Sequence, residues 1–179
     1  MEAVRASSNF WTRNSEVQGY YRTKNTMWFY ASKTRRAIKI PSIQRVFGEA
    51  SYGDLTQLSL SQDYILDGSV FEEVVDDKSV LRIPLVAKSD EETYAKLSLI
   101  VDAENRVPVG VDYFVASGKH IKSARFPDAK NTDNITILGD WKLFAPDKVD
   151  TITWIKTVSY KDADWPARKF TRRALENSR

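Results

Sequence analysis

TYAKLSLIVDAENRVPVGVDYFVASGKHIKSARF, residues 93–126, alternates apolar and polar side chains on either side of two polar turns. Successive strand side chains point to opposite faces, so a period of two marks half-buried antiparallel strands. Ala95, Leu97, Leu99 and Val101 fall on one face of a first strand, and Tyr94, Lys96 and Ser98 on the other. Asp102-Ala103-Glu104-Asn105 makes a turn, and the return strand puts Val107, Val109, Val111, Tyr113 and Val115 on one side. A second turn at Ser117-Gly118-Lys119 leads to a third strand of the same meander, expected over 121–126.

The same pattern extends outward. Upstream, Leu81, Ile83, Leu85 and Ala87 alternate with Arg82 and Pro84, and the proline predicts an edge or a bulge because it has no N–H for a ladder. Downstream, strands are expected over 134–143 and 151–160, with Ile152, Trp154, Val158 and Tyr160 facing one way. Near the start, residues 27–31 and 35–40 predict a hairpin around Ser32-Lys33-Thr34. Helix is scarce: a turn or two over 42–47, and a short helix after Thr171 as its N-cap. No repeat or linker interrupts the chain, so residues 1–179 are expected to form one domain around one continuous sheet.

Composition sets the limits. The hydrophobic fraction of 42% and charged fraction of 28% are those of a folded globular chain. There is no cysteine, which excludes disulfides, zinc-thiolate sites and cysteine nucleophiles. No apolar run is long enough for a membrane-spanning helix, and the opening MEAVRASSNFWTR has no apolar signal core. The net charge of +3 is unevenly spread, with basic clusters in the first quarter and at the end and an acidic stretch from Asp63 to Glu92.

No constellation for catalysis stands out. His120, the only histidine, reads as a surface residue at a turn, and no G-x-S-x-G, dinucleotide or P-loop motif occurs. The pairs Glu72-Glu73, Asp76-Asp77 and Glu91-Glu92 are neighbours that point apart on a strand. Asp162 and Asp164 offer too few oxygens for calcium. The aromatic and basic stretch from Trp28 to Arg45 reads as a hairpin with core aromatics and solvated arginines rather than a nucleic-acid surface. What remains is an extended apolar sheet face with almost no amphipathic helix to cover it.

Three segments resemble the LolA-like outer-membrane lipoprotein-sorting family. TMWFYASKTRRAIKIPSIQRVFG at 26–48 is similar to its aromatic strand, double-basic turn and following strand. Residues 92–128 resemble its hairpin with a Val-Asp end, a proline-containing return and a Ser-Gly turn. Residues 134–176 resemble its closing strands and terminal Pro-x-x-x-Phe-Thr-x-x-x-Leu segment.

The resemblance implies a mainly β (α+β) fold: a curved antiparallel sheet or half-barrel with few short helices. It implies a periplasmic carrier that binds a lipid or an acylated lipoprotein in its concave face, without a catalytic group, cofactor or metal. An inner-membrane transporter or outer-membrane acceptor would be its partner, and nucleic acid would not. The alternative is a protein-interaction or envelope-sensing module associated with a membrane transporter. Alternation nominates Ile83, Leu85, Leu97, Leu99, Val101, Val109, Val111, Tyr113, Ile152 and Trp154 as lipid contacts. Family members carry a signal peptide, an N-terminal helix and further strands before the aromatic strand, whereas 25 residues precede Thr26 here. The expectation is an N-terminally shortened chain whose exposed sheet edge pairs with a second copy.

Overall fold

Antiparallel strands dominate the computed structural model. It describes residues 2–177 apart from 7–8, 14–17, 24–25, 32–35, 56–59, 132–135, 149, 157–165, 167 and 169–170. These residues group into two compact units, one from 1–44, 51–59 and 161–179 and the other from 45–50 and 60–160.

In the first unit, β1 (Glu2–Ala6), β2 (Asn9–Arg13), β3 (Gln18–Thr23), β4 (Thr26–Ala31) and β5 (Arg36–Ile40) form a five-stranded antiparallel sheet in chain order. Three strands thus stand before the aromatic strand. The expected hairpin is β4–β5, with Met27 opposite Ile40 and Tyr30 opposite Ala37. Met27 and Ile40 are buried with Phe29 and Tyr52 packed against them, so the aromatic stretch does build core.

The turns expected as helix over 42–47 are instead a bend and a strand. β6 (Arg45–Phe47) and β7 (Ala50–Ser51) flank Gly48, and helix starts only at α1 (Tyr52–Leu55). The reason is Ser51-x-x-Asp54, a capping box. The Asp54 N–H donates to Ser51 Oγ at 3.3 Å, and Asp54 Oδ2 accepts the Ser51 N–H at 2.8 Å.

The second unit begins with α2 (Leu60–Asp63) and continues as β8 (Tyr64–Leu66), β9 (Phe71–Val75), β10 (Lys78–Ala87), β11 (Lys96–Asp102), β12 (Pro108–Phe114) and β13 (His120–Arg125). After β14 (Lys130–Asn131) and β15 (Thr136–Ile137), a separate two-stranded ladder, come β16 (Trp141–Phe144) and β17 (Thr153–Ile155). The eight-stranded sheet runs β17-β16-β13-β12-β11-β10-β8, with β9 also on β10. It is antiparallel throughout and not closed into a barrel. The single continuous sheet expected from the sequence is therefore two main sheets and two short ladders among the described residues.

Pro84 shows how the sheet accommodates it. β10 pairs with β11 along its length, but on its other side β9 reaches only Arg82 and β8 begins opposite Leu85. Pro84 occupies the break between two short edge strands, where the ladder asks for no N–H. On β12, register shifts at Ile100/Val101 and Tyr113/Phe114 break the ladder on both sides, and such bulges bend and twist a sheet.

The last described helix, α3 (Arg172–Asn177), belongs to the first unit. Thr171 caps it as expected, its Oγ1 accepting the Ala174 N–H at 3.0 Å. The Ala37 N–H of β5 donates to Glu176 Oε1 at 3.2 Å, which occupies one donor of an edge strand.

Candidate functional site

The register of the eight-stranded sheet aligns apolar side chains in rows across one face. One row runs Ile83, Leu99, Val111, Ala124, Leu143 and Thr153. The next runs Leu66, Leu85, Leu97, Tyr113 and Lys122, and Leu81 with Val101 starts a third. Directly opposed antiparallel residues share a face, so seven of the ten nominated residues come together here: Ile83, Leu85, Leu97, Leu99, Val101, Val111 and Tyr113.

Ile152 and Trp154 do not join them, and Val109 sits at a register break. Val109 falls at the β12 bulge, where Ile100 opposes Gly110 and Val101 opposes Pro108. Ile152 precedes β17 and is exposed. Trp154 is paired with Lys142, which is paired with Arg125, so it lies on the opposite face, with the Lys142 Nζ 4.6 Å from its ring. Trp154 is thus separated by the sheet from Leu99. Val158 and Tyr160 lie outside the described residues.

The apolar face has two differently covered halves. Over β13–β17, the Gly48–Ala50 segment crosses as a strap: the Glu49 N–H donates to Thr153 Oγ1 at 2.9 Å, and the Glu49 carbonyl accepts from Lys122 Nζ at 3.2 Å. Ala50, Ala124 and Leu143 have no exposed surface. Lys122 is buried although it is a lysine, its ammonium lying 4.8 Å and 5.4 Å from the Tyr94 and Tyr113 ring centres. Tyr94 itself is buried against Tyr113 at 4.4 Å, not on the polar side with Lys96. It precedes β11, so the strand alternation does not reach it.

Over β10–β11, Leu81, Ile83, Leu85 and Leu99 are half-buried beside the buried Leu97, Val101, Val111 and Tyr113. This half is a face of aliphatic side chains, the kind of surface that takes apolar matter by area rather than by directed bonds.

The opposite face carries charge. Asp112 is buried and accepts from Arg82 and Arg125 at 2.8 Å each and from the Ser123 hydroxyl at 2.8 Å. Arg82 also pairs with Glu73 and reaches Ser98 Oγ at 3.3 Å. Burial by itself would push the Asp112 carboxyl up, but the Arg82 hydrogen bond, the Arg125 charge and hydrogen bond, and the Ser123 hydroxyl outweigh it and hold its pKa below the ordinary aspartate value. Burial would likewise pull the Arg82 guanidinium down, and its bonds to Asp112 and Glu73 raise it instead.

His120 is not the free surface residue its turn position predicts. It is half-buried, stacked on Phe114 at 5.0 Å, with Nε2 at 3.1 Å from Ser123 Oγ and 3.0 Å from the Lys122 carbonyl. Sequence reasoning missed this cluster because its members come from five strands. Among the described residues no group of three or more His, Cys, Asp and Glu side chains forms a metal site.

Comparisons with known proteins agree with the architecture. A family model described as an uncharacterized protein matches residues 13–177. A LolA superfamily protein from Nitrosomonas europaea superposes with a TM-score of 0.79 at 19% identity, covering 93% of this chain and 78% of that one. A domain described as an outer-membrane lipoprotein-sorting protein, from Vibrio parahaemolyticus, gives 0.74 at 13%, covering 98% of this chain and 81% of that one. A DUF1329 family protein from Desulfovibrio piger gives 0.67 at 18%, covering 93% and 77%. At these identities the likeness establishes the fold, which is LolA-like as the three segments imply. No curated protein sequence matches the chain.

Proposed function

The chain belongs to the family, described as uncharacterized protein, whose model spans residues 13–177, and on that premise we propose that it is a periplasmic carrier of lipids or acylated lipoproteins. Residues 1–179 would act as one lipid-binding domain, without catalysis or cofactor. The observation that carries the reading is the aliphatic face of β10 and β11, with Ile83, Leu85 and Leu99 half-buried beside the buried Leu97, Val101, Val111 and Tyr113. Acyl chains laid along that face gain about 0.8 kcal/mol for each methylene removed from water, so an apolar face needs no directed polar group to hold a lipid. The fold shared with a domain described as an outer-membrane lipoprotein-sorting protein supports the cargo class.

A transporter in the inner membrane or an acceptor at the outer membrane would load and unload such a carrier. No helix among the described residues is long and apolar enough to cross a membrane, which suits a shuttle between the two.

The test is titration with a fluorescent fatty acid and a fluorescent diacyl lipopeptide. Saturable binding is expected in the unaltered protein. Leu99→Glu, which sets a carboxylate on the aliphatic face, is expected to abolish it, while Trp154→Ala on the opposite face leaves it intact. Absence of saturable binding, or equal loss in both variants, overturns the reading.

A further inference from the structure

The β8–β9 edge of the eight-stranded sheet is both apolar and acidic. Ile65, Leu66, Val70, Phe71, Val74 and Val75 are all exposed, Val74 by 73%. Sheet edges that present apolar side chains are normally covered or charged, because their free N–H and C=O groups invite another strand. Among the described residues β9 pairs only with β10.

The hairpin shows which backbone groups are on offer. Val75 opposes Lys78 around a two-residue loop, Asp76-Asp77, whose φ values of 50° and 61° are those of a type I′ turn. In such a hairpin the closing pair exchanges both hydrogen bonds, and so do Glu73 with Val80 and Phe71 with Arg82. Glu72 and Val74 therefore direct their N–H and C=O groups away from β10.

Charge selects the occupant. From Asp63 to Lys78 the sequence holds six acids, Asp63, Asp67, Glu72, Glu73, Asp76 and Asp77, against Lys78 alone. Asp63 lies in α2, Asp67 is paired with Lys96, Glu73 with Arg82, and Glu72 accepts the Ser79 hydroxyl, so the turn acids Asp76 and Asp77 stand at the rim beside Glu72. Two copies joined antiparallel through β9 would set these acids against their own kind, and like charges directly opposite destabilise a strand pair. An anionic membrane is repelled for the same reason. We propose that the β9 edge binds an extended basic segment of a partner protein, in which Lys or Arg alternates in pairs with aliphatic residues, by strand addition. This edge adjoins the apolar face at Leu66 and Glu72 but uses the outward backbone of β9, and it goes beyond the carrier reading.

The probe is a labelled heptapeptide, Lys-Lys-Val-Ile-Lys-Lys-Ile, written to oppose Phe71–Asp77 antiparallel. A second peptide has the same sequence and charge but N-methyl groups on alternate residues, and so lacks the donors a ladder needs. By fluorescence anisotropy the first is expected to bind and the second to bind about tenfold more weakly or worse, as unmade backbone hydrogen bonds require. Val74→Pro removes an outward N–H without touching the β9–β10 ladder and is expected to weaken the first peptide about tenfold. Asp76→Asn with Asp77→Asn keeps residues tolerant of positive φ, removes two charges, and is expected to weaken it severalfold. Retained circular dichroism and melting temperature confirm that each variant is folded. Equal binding of the N-methylated peptide, or unchanged binding by both variants, overturns the proposal. So does concentration-dependent dimerisation that Val74→Pro abolishes while the peptide fails to bind.

Discussion

Across the β12–β13 pair the Ser123 hydroxyl donates to Asp112 Oδ1 at 2.8 Å, with His120 Nε2 3.1 Å from Ser123 Oγ. Serine, histidine and aspartate are thus neighbours, but in the wrong order for nucleophilic attack. A triad needs the acid on the far nitrogen of the imidazole, so that the ring can take the serine proton. Here the carboxylate accepts the serine hydroxyl directly, and Ser123 is 2% exposed.

The expected outcome is no labelling of Ser123 by a fluorophosphonate probe and no esterase activity. Ser123→Ala removes one buried hydrogen bond and is expected to cost about 1 kcal/mol in urea unfolding. Covalent modification at Ser123 in an intact-mass measurement would refute this.

Asp112 joins two arginines, so its ionisation is linked to folding. In the unfolded chain it titrates near 3.8, and in the folded chain lower. As pH falls the unfolded chain takes up the proton first. The stabilisation is complete above about pH 5 and is lost as pH drops through the depressed folded value. Asp112→Asn is expected to cost roughly 2–3 kcal/mol at neutral pH, less than the roughly 3–5 kcal/mol of a fully buried pair because both arginines are partly open to water. It should also flatten the acid limb of a stability-versus-pH curve. An unchanged acid limb in the variant would show that other carboxylates carry it.

The hairpin of β11 and β12 was legible because its alternation is long and clean, and register then follows from burial: Leu97 meets Tyr113 and Leu99 meets Val111. Seven residues of the apolar face were reachable from that pattern alone. Trp154 was not, because β17 is three residues long and its facing is set by which residue of β16 it opposes. Lys122 breaks the rule that buried means apolar: it is kept on the apolar face by the Glu49 carbonyl, 73 residues away in sequence. Arg82 and Asp112, 30 residues apart, meet only once three strands are aligned. Contacts that depend on such long-range registration leave no periodic trace in a sequence.

Thr171 Oγ1 caps α3, and Glu176 on the same helix accepts the Ala37 N–H of β5. Loss of the cap should therefore be felt on the strand. Thr171→Ala is expected to cost α3 about 1 kcal/mol and to speed hydrogen exchange at the Ala174 and Ala37 amides together. Thr171→Ser, which keeps the oxygen, should restore protection at both. Faster exchange at Ala174 with Ala37 unchanged would uncouple helix from edge.

Gly48 holds the strap over the apolar face in a conformation that side chains resist. Its φ is +49°, and a Cβ there would lie 2.2 Å from Thr153 Oγ1, the atom that accepts the Glu49 N–H. Gly118 also has a positive φ, +81°, but a Cβ there meets nothing within 4 Å. Gly118→Ala therefore isolates the backbone cost, about 1 kcal/mol. Gly48→Ala adds the displacement of Thr153 and the loss of the Glu49 bond, and about 2–3 kcal/mol is expected. The double variant Gly48→Ala with Thr153→Ala removes the clash, so it should be less destabilised than the two single losses added together. Urea unfolding of the four proteins measures the coupling. Strict additivity would mean that the strap does not rest on Thr153.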